Sequence, residues 1–192
     1  ESGSVLWTWD PRGCGVTNIP PVTDGKVFIN ADTATDYHYG QFAAVDADTG
    51  EEVWHLGTIP LAQGGSPTIS GDTIYFPGGD GALWALDIDT KQVRWGHHAG
   101  FNVRGHTALC SPPAVDDVHG WVIGIADTGR MFVLNKDTGR IVKEAFLGLP
   151  SWNVGDPHPD AGYWLPGPSG VAIVPSQGLL YIAATDYERA FL

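Results

Sequence analysis

The sequence predicts an all-β chain built from about four modules, each a four-stranded antiparallel sheet. Three observations predict it: a hairpin motif present in three copies, division of the chain into short strands by 26 Gly and 14 Pro, and a spacing of 41 to 48 residues between the positions that end the copies, Trp7 included. The motif reads FAAVDADTGEEVW from Phe42 to Trp54, LWALDIDTKQVRW from Leu83 to Trp95 and MFVLNKDTGRIVK from Met131 to Lys143. Superposing Asp46, Asp87 and Asn135 aligns Asp48, Asp89 and Asp137, then Thr49, Thr90 and Thr138, and finally Trp54, Trp95 and Lys143.

Each copy runs an alternating apolar strand into Asp-x-Asp-Thr-Gly and out along a second strand. Asp and Thr side chains hydrogen-bond backbone a residue or two ahead, and Gly50 and Gly139 supply the positive φ of a tight connection, so each copy is a β-hairpin. Lys91 holds the glycine position of the middle copy, which predicts a different turn type or local strain, and the least regular hairpin of the three. A fourth copy is split: Ser2 to Trp7 resembles the half after the turn, and Tyr187 to Leu192 the strand before it.

In order along the chain, Val5 to Trp9 alternates as an outer strand should, and Asp10 to Gly15 connects it onward. Pro20-Pro21-Val22 opens the next strand, Asp24-Gly25 is a hairpin turn and Lys26 to Asn30 is its partner. Ala31 to Gly40, rich in Asp, Thr and Tyr, reads as an enlarged loop before the first repeat. The second module gives Ser66 to Ile69, a turn at Gly71-Asp72, Thr73 to Phe76, a loop from Gly78 to Gly81 and the second repeat. The third gives Ser111 to Val115, a turn from Asp116 to Gly120, Trp121 to Ile125 and the third repeat. The fourth gives Gly167 to Val174, a turn from Pro175 to Gly178, Leu179 to Ala184 and the half repeat. Repeats of this length with four strands each are propeller blades, with boundaries near residues 7, 54, 95 and 143 and a last blade divided between 167–192 and 1–9. One unit over 1–192 is the expected domain organisation.

Ten Lys plus Arg against 22 Asp plus Glu give a formal charge of −12, which repels nucleic-acid phosphates and anionic membranes. Much of the acid lies in the repeated turns, where a solvated surface accounts for it. No apolar run is long enough to span a bilayer and no charged, apolar leader precedes Glu1, so the sequence reads as a soluble piece, mature or excised. Cys14 and Cys110 fit one disulfide or two free thiols equally.

The pattern Asp-x-x-Thr-Gly-x-x-x-Trp after a strand ending in Ala-Val-Asp or Ala-Leu-Asp resembles the tryptophan-docking repeat of the pyrroloquinoline-quinone (PQQ) type β-propellers, over nearly the whole chain. That superfamily includes quinoprotein alcohol and aldose dehydrogenases as well as cofactor-free members such as the outer-membrane assembly lipoprotein. The resemblance implies that Trp7, Trp54 and Trp95 pack flat on a turn of the neighbouring blade; Lys143 departs from the pattern. Members usually close with seven or eight blades, so about four implies a half or segment of such a ring, or a small closed ring. A half or a segment is the favoured expectation, because an open propeller leaves unpaired edges that invite a protein partner or a second copy.

Function must come from the loops, since fold does not fix it. The connections from outer to inner strands are Trp9 to Ile19, His55 to Gly65, Gly96 to Cys110 and Glu144 to Pro166. They supply the ligand-binding candidates Arg12, Asn102, Arg104, His106, Trp152, Asp156, His158 and Trp164, with Asn153 and Tyr163 beside them. Aromatic walls with a few polar groups suit a flat polar ligand such as a sugar or a quinone. The plain alternative is that these loops pack on one another and on a neighbouring subunit.

Quinoprotein chemistry, as the resemblance implies it, needs Ca²⁺ beside the quinone, an Asp base, an Arg at the quinone oxygens and a stacking Trp. Arg12 or Arg104, Asp156, and Trp152 or Trp164 are the candidates; the adjacent cysteine pair of many such enzymes is absent, because Cys14 has Gly on both sides. No catalytic residue is assigned on this basis. Asp46, Asp48, Glu51 and Glu52 lack EF-hand spacing and read as a turn, and His97, His98 and His106 lack a recognised ligand spacing and read as solvated loop residues, so no metal is expected. Gly167-Pro168-Ser169-Gly170 is no nucleophile elbow, and no phosphate loop is present. Two expectations remain: a cofactor-free binding or assembly scaffold of an exported protein, periplasmic or extracellular, or part of a dehydrogenase dependent on PQQ and calcium.

Overall fold

Short turns of defined handedness fix the strand order. The structure, a computed structural model, describes residues 3–11, 14–15, 19–33, 36–59, 65–78, 81–98, 111–126, 130–146, 168–185 and 190–191. The first sheet contains β1 (Cys14–Gly15), β2 (Val22–Thr23), β3 (Lys26–Thr33), β4 (Asp36–Asp46) and β5 (Glu52–Ile59). Asp24 and Gly25 take φ of 49° and 67° between the paired Thr23 and Lys26. Positive φ at both central residues is the type I′ geometry whose twist matches the strands it joins. β1 and β2 both pair antiparallel with β3, at Cys14↔Thr33 and Val22↔Val27, so the inner position is shared by two short strands.

The second sheet orders β6 (Thr68–Ser70), β7 (Thr73–Pro77), β8 (Ala82–Asp87) and β9 (Val93–His98), and the third β10 (Ala114–Asp116), β11 (Trp121–Ile125), β12 (Arg130–Asn135) and β13 (Ile141–Phe146). The fourth sheet orders β14 (Pro168–Val174), β15 (Leu179–Thr185) and β16 (Ala190–Phe191), with a 3-10 turn over Pro175–Gln177 closed by Gly178 at φ 63°. All pairings are antiparallel, and within each sheet sequential strands are neighbours except β1 and β2, which both pair with β3. Strand β10 lies near both β6 and β14, so the second, third and fourth sheets follow one another as neighbours.

Four expectations are corrected. Ala31 to Gly40 is largely strand: Ala31↔Gln41 and Asp32↔Gly40 continue the ladder of β3 and β4, and Cys14–Gly15, expected in a loop, adds to its edge. The Thr and Tyr of that stretch favour strand, and the flanking pairing outweighs its polar composition. β5 likewise runs past His55 to Ile59, and β9 carries His97 and His98, expected in loops, inside a strand. Residues 3–11, expected to hold an outer strand from Val5 to Trp9, contain no strand, and side chains hold them to the first sheet instead. The middle hairpin is as regular as its neighbours, as the turn geometry below shows.

The core lies between sheets. Phe28, Phe42 and Ala44 of the first sheet meet Ile74, Phe76 and Leu86 of the second, and Tyr75, Leu83, Ala85 and Trp95 of the second meet Val122, Phe132 and Leu134 of the third. The opposite face of β3 and β4 buries Val27, Ile29 and Val45 against Trp7 and Trp9. Phe28 and Val27 thus serve different interfaces, as the alternation of side chains along a strand requires. The second sheet buries one face against the first and the other against the third, so its core is shared with its neighbours.

Candidate functional site

The three repeated turns share one hydrogen-bond frame. In the first, the Asp46 carboxylate Oδ1 accepts from the backbone N–H of Asp48 and Thr49 at 3.0 and 2.9 Å and from the Thr49 hydroxyl at 3.0 Å. The N–H of Gly50 closes on the Asp46 carbonyl at 2.9 Å. Asn135 repeats each of these contacts with Asp137, Thr138 and Gly139. Asp87 receives the N–H of Asp89 and Thr90, and Lys91 takes φ 60° beside 75° at Gly50 and 66° at Gly139. The lysine therefore keeps the turn type and accepts the left-handed backbone that glycine adopts freely. Donation to Asp46, first from the Thr49 N–H and then from its hydroxyl, holds that carboxyl below the usual carboxylate range. The turn gives the Asp46 carboxylate its hydrogen-bond donors.

Every repeat also carries the same β-bulge. Ala44 pairs with Trp54 but Val45 with Glu52; Ala85 pairs with Trp95 but Leu86 with Val93; Val133 pairs with Lys143 but Leu134 with Ile141. The residue passed over, Val53, Arg94 or Val142, bends the strand and re-aims the position that follows it. Trp95 accordingly leaves its own sheet: its indole Nε1 donates to the Lys136 carbonyl at 2.9 Å and its ring lies on Gly139, where an added Cβ would sit 2.6 Å from Cδ2. Trp7 does the same to the first turn, donating to the Ala47 carbonyl at 2.8 Å, with its ring 2.7 Å from the place of a Gly50 Cβ. Both glycines are thus required twice, for their φ and for the approach of the ring. Tyr75 adds its hydroxyl to the Lys136 carbonyl at 3.2 Å. Trp54 packs near Phe28 and Phe42, with ring centroids 6.1 and 6.0 Å away.

Further polar contacts join the sheets. Asn30 donates to the Gly65 carbonyl, Thr68 to the Pro113 carbonyl, and Ser70 to Asp117, which also binds the Lys136 ammonium at 2.6 Å. Within the second sheet, Arg94 donates to Asp72 at 2.9 Å and pairs with Asp87, tying its two turns together. The guanidinium is the first cause that lowers the Asp72 pKa, and at Asp87 it acts after the Thr90 N–H.

A second cluster stands where β9 and β13 end. His97 rests against Phe132 of the next sheet, ring centroids 5.3 Å apart, and burial pushes its pKa below the usual histidine value. Arg130 and Glu144 form an ion pair at 2.6 Å, and Phe132 pairs across with Glu144 as Arg130 does with Phe146. Two glycines bare the backbone for aromatic rings here: a Cβ at Gly124 would meet Phe132 at 2.5 Å, and one at Gly96 would meet Trp84 at 2.5 Å. Sequence reasoning missed Arg130, Glu144 and Phe146; the strand alternation that puts them on one face was their only signal.

Arg12, Asn102, Arg104, His106, Trp152, Asp156, His158 and Trp164 all lie outside the described residues, as do Asn153, Tyr163 and Cys110. Among the described residues, no group of three His, Cys, Asp or Glu side chains is placed to hold a metal ion, and no helix is long and apolar enough to cross a membrane.

Comparison with known proteins places this architecture. Residues 1–145 match the family model described as outer membrane protein assembly factor BamB. Quinohemoprotein alcohol dehydrogenase of Comamonas testosteroni is 31% identical over 117 residues, 50% of this chain and 16% of that protein. The dehydrogenase subunit of a quinone alcohol dehydrogenase from Komagataeibacter europaeus is 30% identical over 118 residues, 49% of this chain and 15% of its own length. The chain thus matches about a sixth of each of these curated relatives. The crystal structure of BamB from Moraxella catarrhalis superposes with a TM-score of 0.64 at 20% identity, over 99% of this chain and 52% of that one. The Comamonas testosteroni dehydrogenase structure gives 0.64 at 21% identity over 90% and 38%, and the computationally designed Ika4 protein 0.61 at 11% identity over 98% of both. The fold is the antiparallel, four-stranded-blade architecture of the quinoprotein-like propellers. By the match over residues 1–145, the chain belongs to the PQQ-like repeat family of β-propellers whose model is the assembly factor BamB.

Proposed function

We propose that the chain serves as a binding or assembly scaffold, one arc of a quinoprotein-like propeller in an exported, periplasmic or extracellular protein. The observation that carries this reading is that binding between modules is itself the chain's most developed chemistry. Trp7 and Trp95 each read a backbone carbonyl and a bare glycine on the next module. In this reading Trp7, Trp54 and Trp95 are docking residues. Lys143, exposed in a strand with Ile141 and Val142, departs from the docking pattern within the arc, and it is at the arc's two open ends that a further module from a protein partner or a second copy would complete the ring. The family model matched supports it. Light scattering of the purified protein tests it: an assembly with a partner or a second copy is expected, and a monomer that binds nothing from a periplasmic extract would contradict it.

A second reading, favoured by the two dehydrogenase relatives, makes the chain part of a PQQ-dependent alcohol or aldose dehydrogenase. PQQ with calcium would then be held by residues outside the described ones, with Arg12 or Arg104, Asp156, and Trp152 or Trp164 as its contacts. Adding PQQ and Ca²⁺ and recording the visible spectrum and dye reduction with an alcohol or an aldose separates the readings. The scaffold predicts neither a bound quinone spectrum nor turnover.

A further inference from the structure

We propose that the open face of the fourth sheet, at Leu179 and Tyr181, docks on the first sheet of a second copy of this chain, at its Trp7 and its Ala47 carbonyl. The register of β15 places Tyr181. Lys26, Thr73 and Leu179 each close an inner hairpin, opposite Thr23, Ser70 and Val174. Phe28, Tyr75 and Tyr181 stand two residues further on, and residues two apart along a strand project to one face. In the first two sheets that face looks to the next sheet: Phe28 packs with Ile74, Phe76 and Leu86, and Tyr75 with Val122, Phe132 and Leu134. Tyr181 therefore looks away from the third sheet. It is 53% exposed, with Leu179 on the same face 44% exposed, whereas Tyr75 is buried.

The seam between the second and third sheets shows what such a tyrosine takes. Tyr75 and Trp95, ring centroids 5.8 Å apart, both donate to the Lys136 carbonyl, the hydroxyl at 3.2 Å and the indole at 2.9 Å. Lys136 follows Asn135 as Ala47 follows Asp46, so the Ala47 carbonyl is the same acceptor on the first turn, and it receives the Trp7 indole at 2.8 Å. A carbonyl oxygen has two lone pairs, so the Tyr181 hydroxyl of a second copy joins the indole there as Tyr75 joins Trp95. The two ends also complement each other in strands. The fourth sheet has three described strands where the second and third have four, and residues 3–11 hold a docking tryptophan but no strand. Val5 and Leu6 of that segment are apolar and exposed. Residues 3–9 of the second copy thus supply the outer strand of the fourth sheet while their Trp7 stays on its own first turn, as Trp95 of β9 reaches the third. Length points to a second copy as the occupant: one copy covers 52% of the BamB chain on which it superposes, so two copies make up a chain of that length. With two seams of this kind, a pair of copies closes about a two-fold axis.

The contact rests on the reading of the chain as an arc that a partner completes, and it makes that partner a second copy. Sedimentation equilibrium of the whole protein, with hydrogen exchange followed on dilution, tests it. A two-copy species is expected. Tyr181→Phe should weaken its association about three- to tenfold, the loss of one hydrogen bond, and Tyr181→Lys should weaken it further. On dilution the amides of 3–11 and of β15 should lose protection together, while those of β7, β8, β11 and β12 keep theirs. Tyr181 is exposed within one copy, so both variants should keep the parent's circular dichroism. A monomer at millimolar concentration would overturn the assignment, whether its own ends meet in a closed ring or it binds a different protein. A two-copy species whose affinity Tyr181→Lys leaves unchanged, or whose dissociation leaves the protection of 3–11 and β15 unchanged, would overturn it as well. The scaffold reading survives each of these results and falls only if no partner binds either.

Discussion

Gly25, Gly139 and Lys91 share a backbone that L side chains rarely adopt, but they differ in what lies over them, and this separates two kinds of cost. A Cβ at Gly25 meets nothing within 4 Å, whereas one at Gly139 meets the Trp95 ring at 2.6 Å. Gly25→Ala should therefore cost only the left-handed penalty, about 1–2 kcal/mol. Gly139→Ala adds an overpacking term of about 1–3 kcal/mol. Lys91→Gly removes the same backbone penalty and should stabilise by up to about 1 kcal/mol, less the added freedom of the unfolded chain. Urea midpoints of the three variants check the order. Arg94 supplies a second residue-scale prediction. Asp72 and Asp87 have pKa values lowered below 3.8, so they contribute stability that is present above that value and is lost as pH falls through their lower folded values. Replacing Arg94 with Met should flatten the acid limb of stability below pH 3.8, because both carboxylates lose their cation; an unchanged limb would assign the shifts to the turn N–H groups alone.

At the scale of elements, β9 illustrates how a neighbouring sheet changes a residue's state. His97 is half-buried in that strand and its pKa lies below 6.5, with Phe132 packed on it, Glu144 favouring the charged form and Arg130 and His98 opposing it. A depressed histidine pKa means the unfolded chain binds the proton first, so stability is full above pH 6.5 and declines as pH falls below it. His97→Phe is expected to remove that decline, read as unfolding midpoints between about pH 7 and pH 5. A decline of the same size in the variant would contradict it. The strand also shows what was legible in the sequence. The three hairpins are legible because Asp46, Thr49 and Gly50 act on their own backbone, within five residues. The end of β9 is not, because Phe132, which buries His97, lies 35 residues further on and in another sheet. The strand character of 31–40 is hidden for another reason: its partners are local, Asp32 with Gly40 and Thr33 with Asp36, but its polar composition reads as loop. The loop candidates, from Arg12 to Trp164, are legible only as residue types on connections, since a ligand site depends on which connections meet.

For the molecule as a whole, the account rests on modules that complete one another's cores and are pinned through single turns. Helix is absent from the described residues apart from one 3-10 turn, so stability must come from these sheet-to-sheet seams. The seams are unequal. Those at Gly50 and Gly139 carry an indole on a bare glycine, that at Lys91 carries a side chain in place of the glycine, and Lys143 brings a cation where the others bring a ring. Local opening is therefore expected to begin at the first-to-second and third-to-fourth seams. The second-to-third seam, with Tyr75 and Trp95 on one carbonyl, should be the last to part. The most direct measurement is a double-mutant cycle on that seam, pairing Trp95→Ala with Gly139→Ala in urea unfolding. With the ring gone, Gly139→Ala should cost no more than Gly25→Ala, giving a coupling of about 1–3 kcal/mol. Equal cost of Gly139→Ala with and without Trp95 would contradict the account.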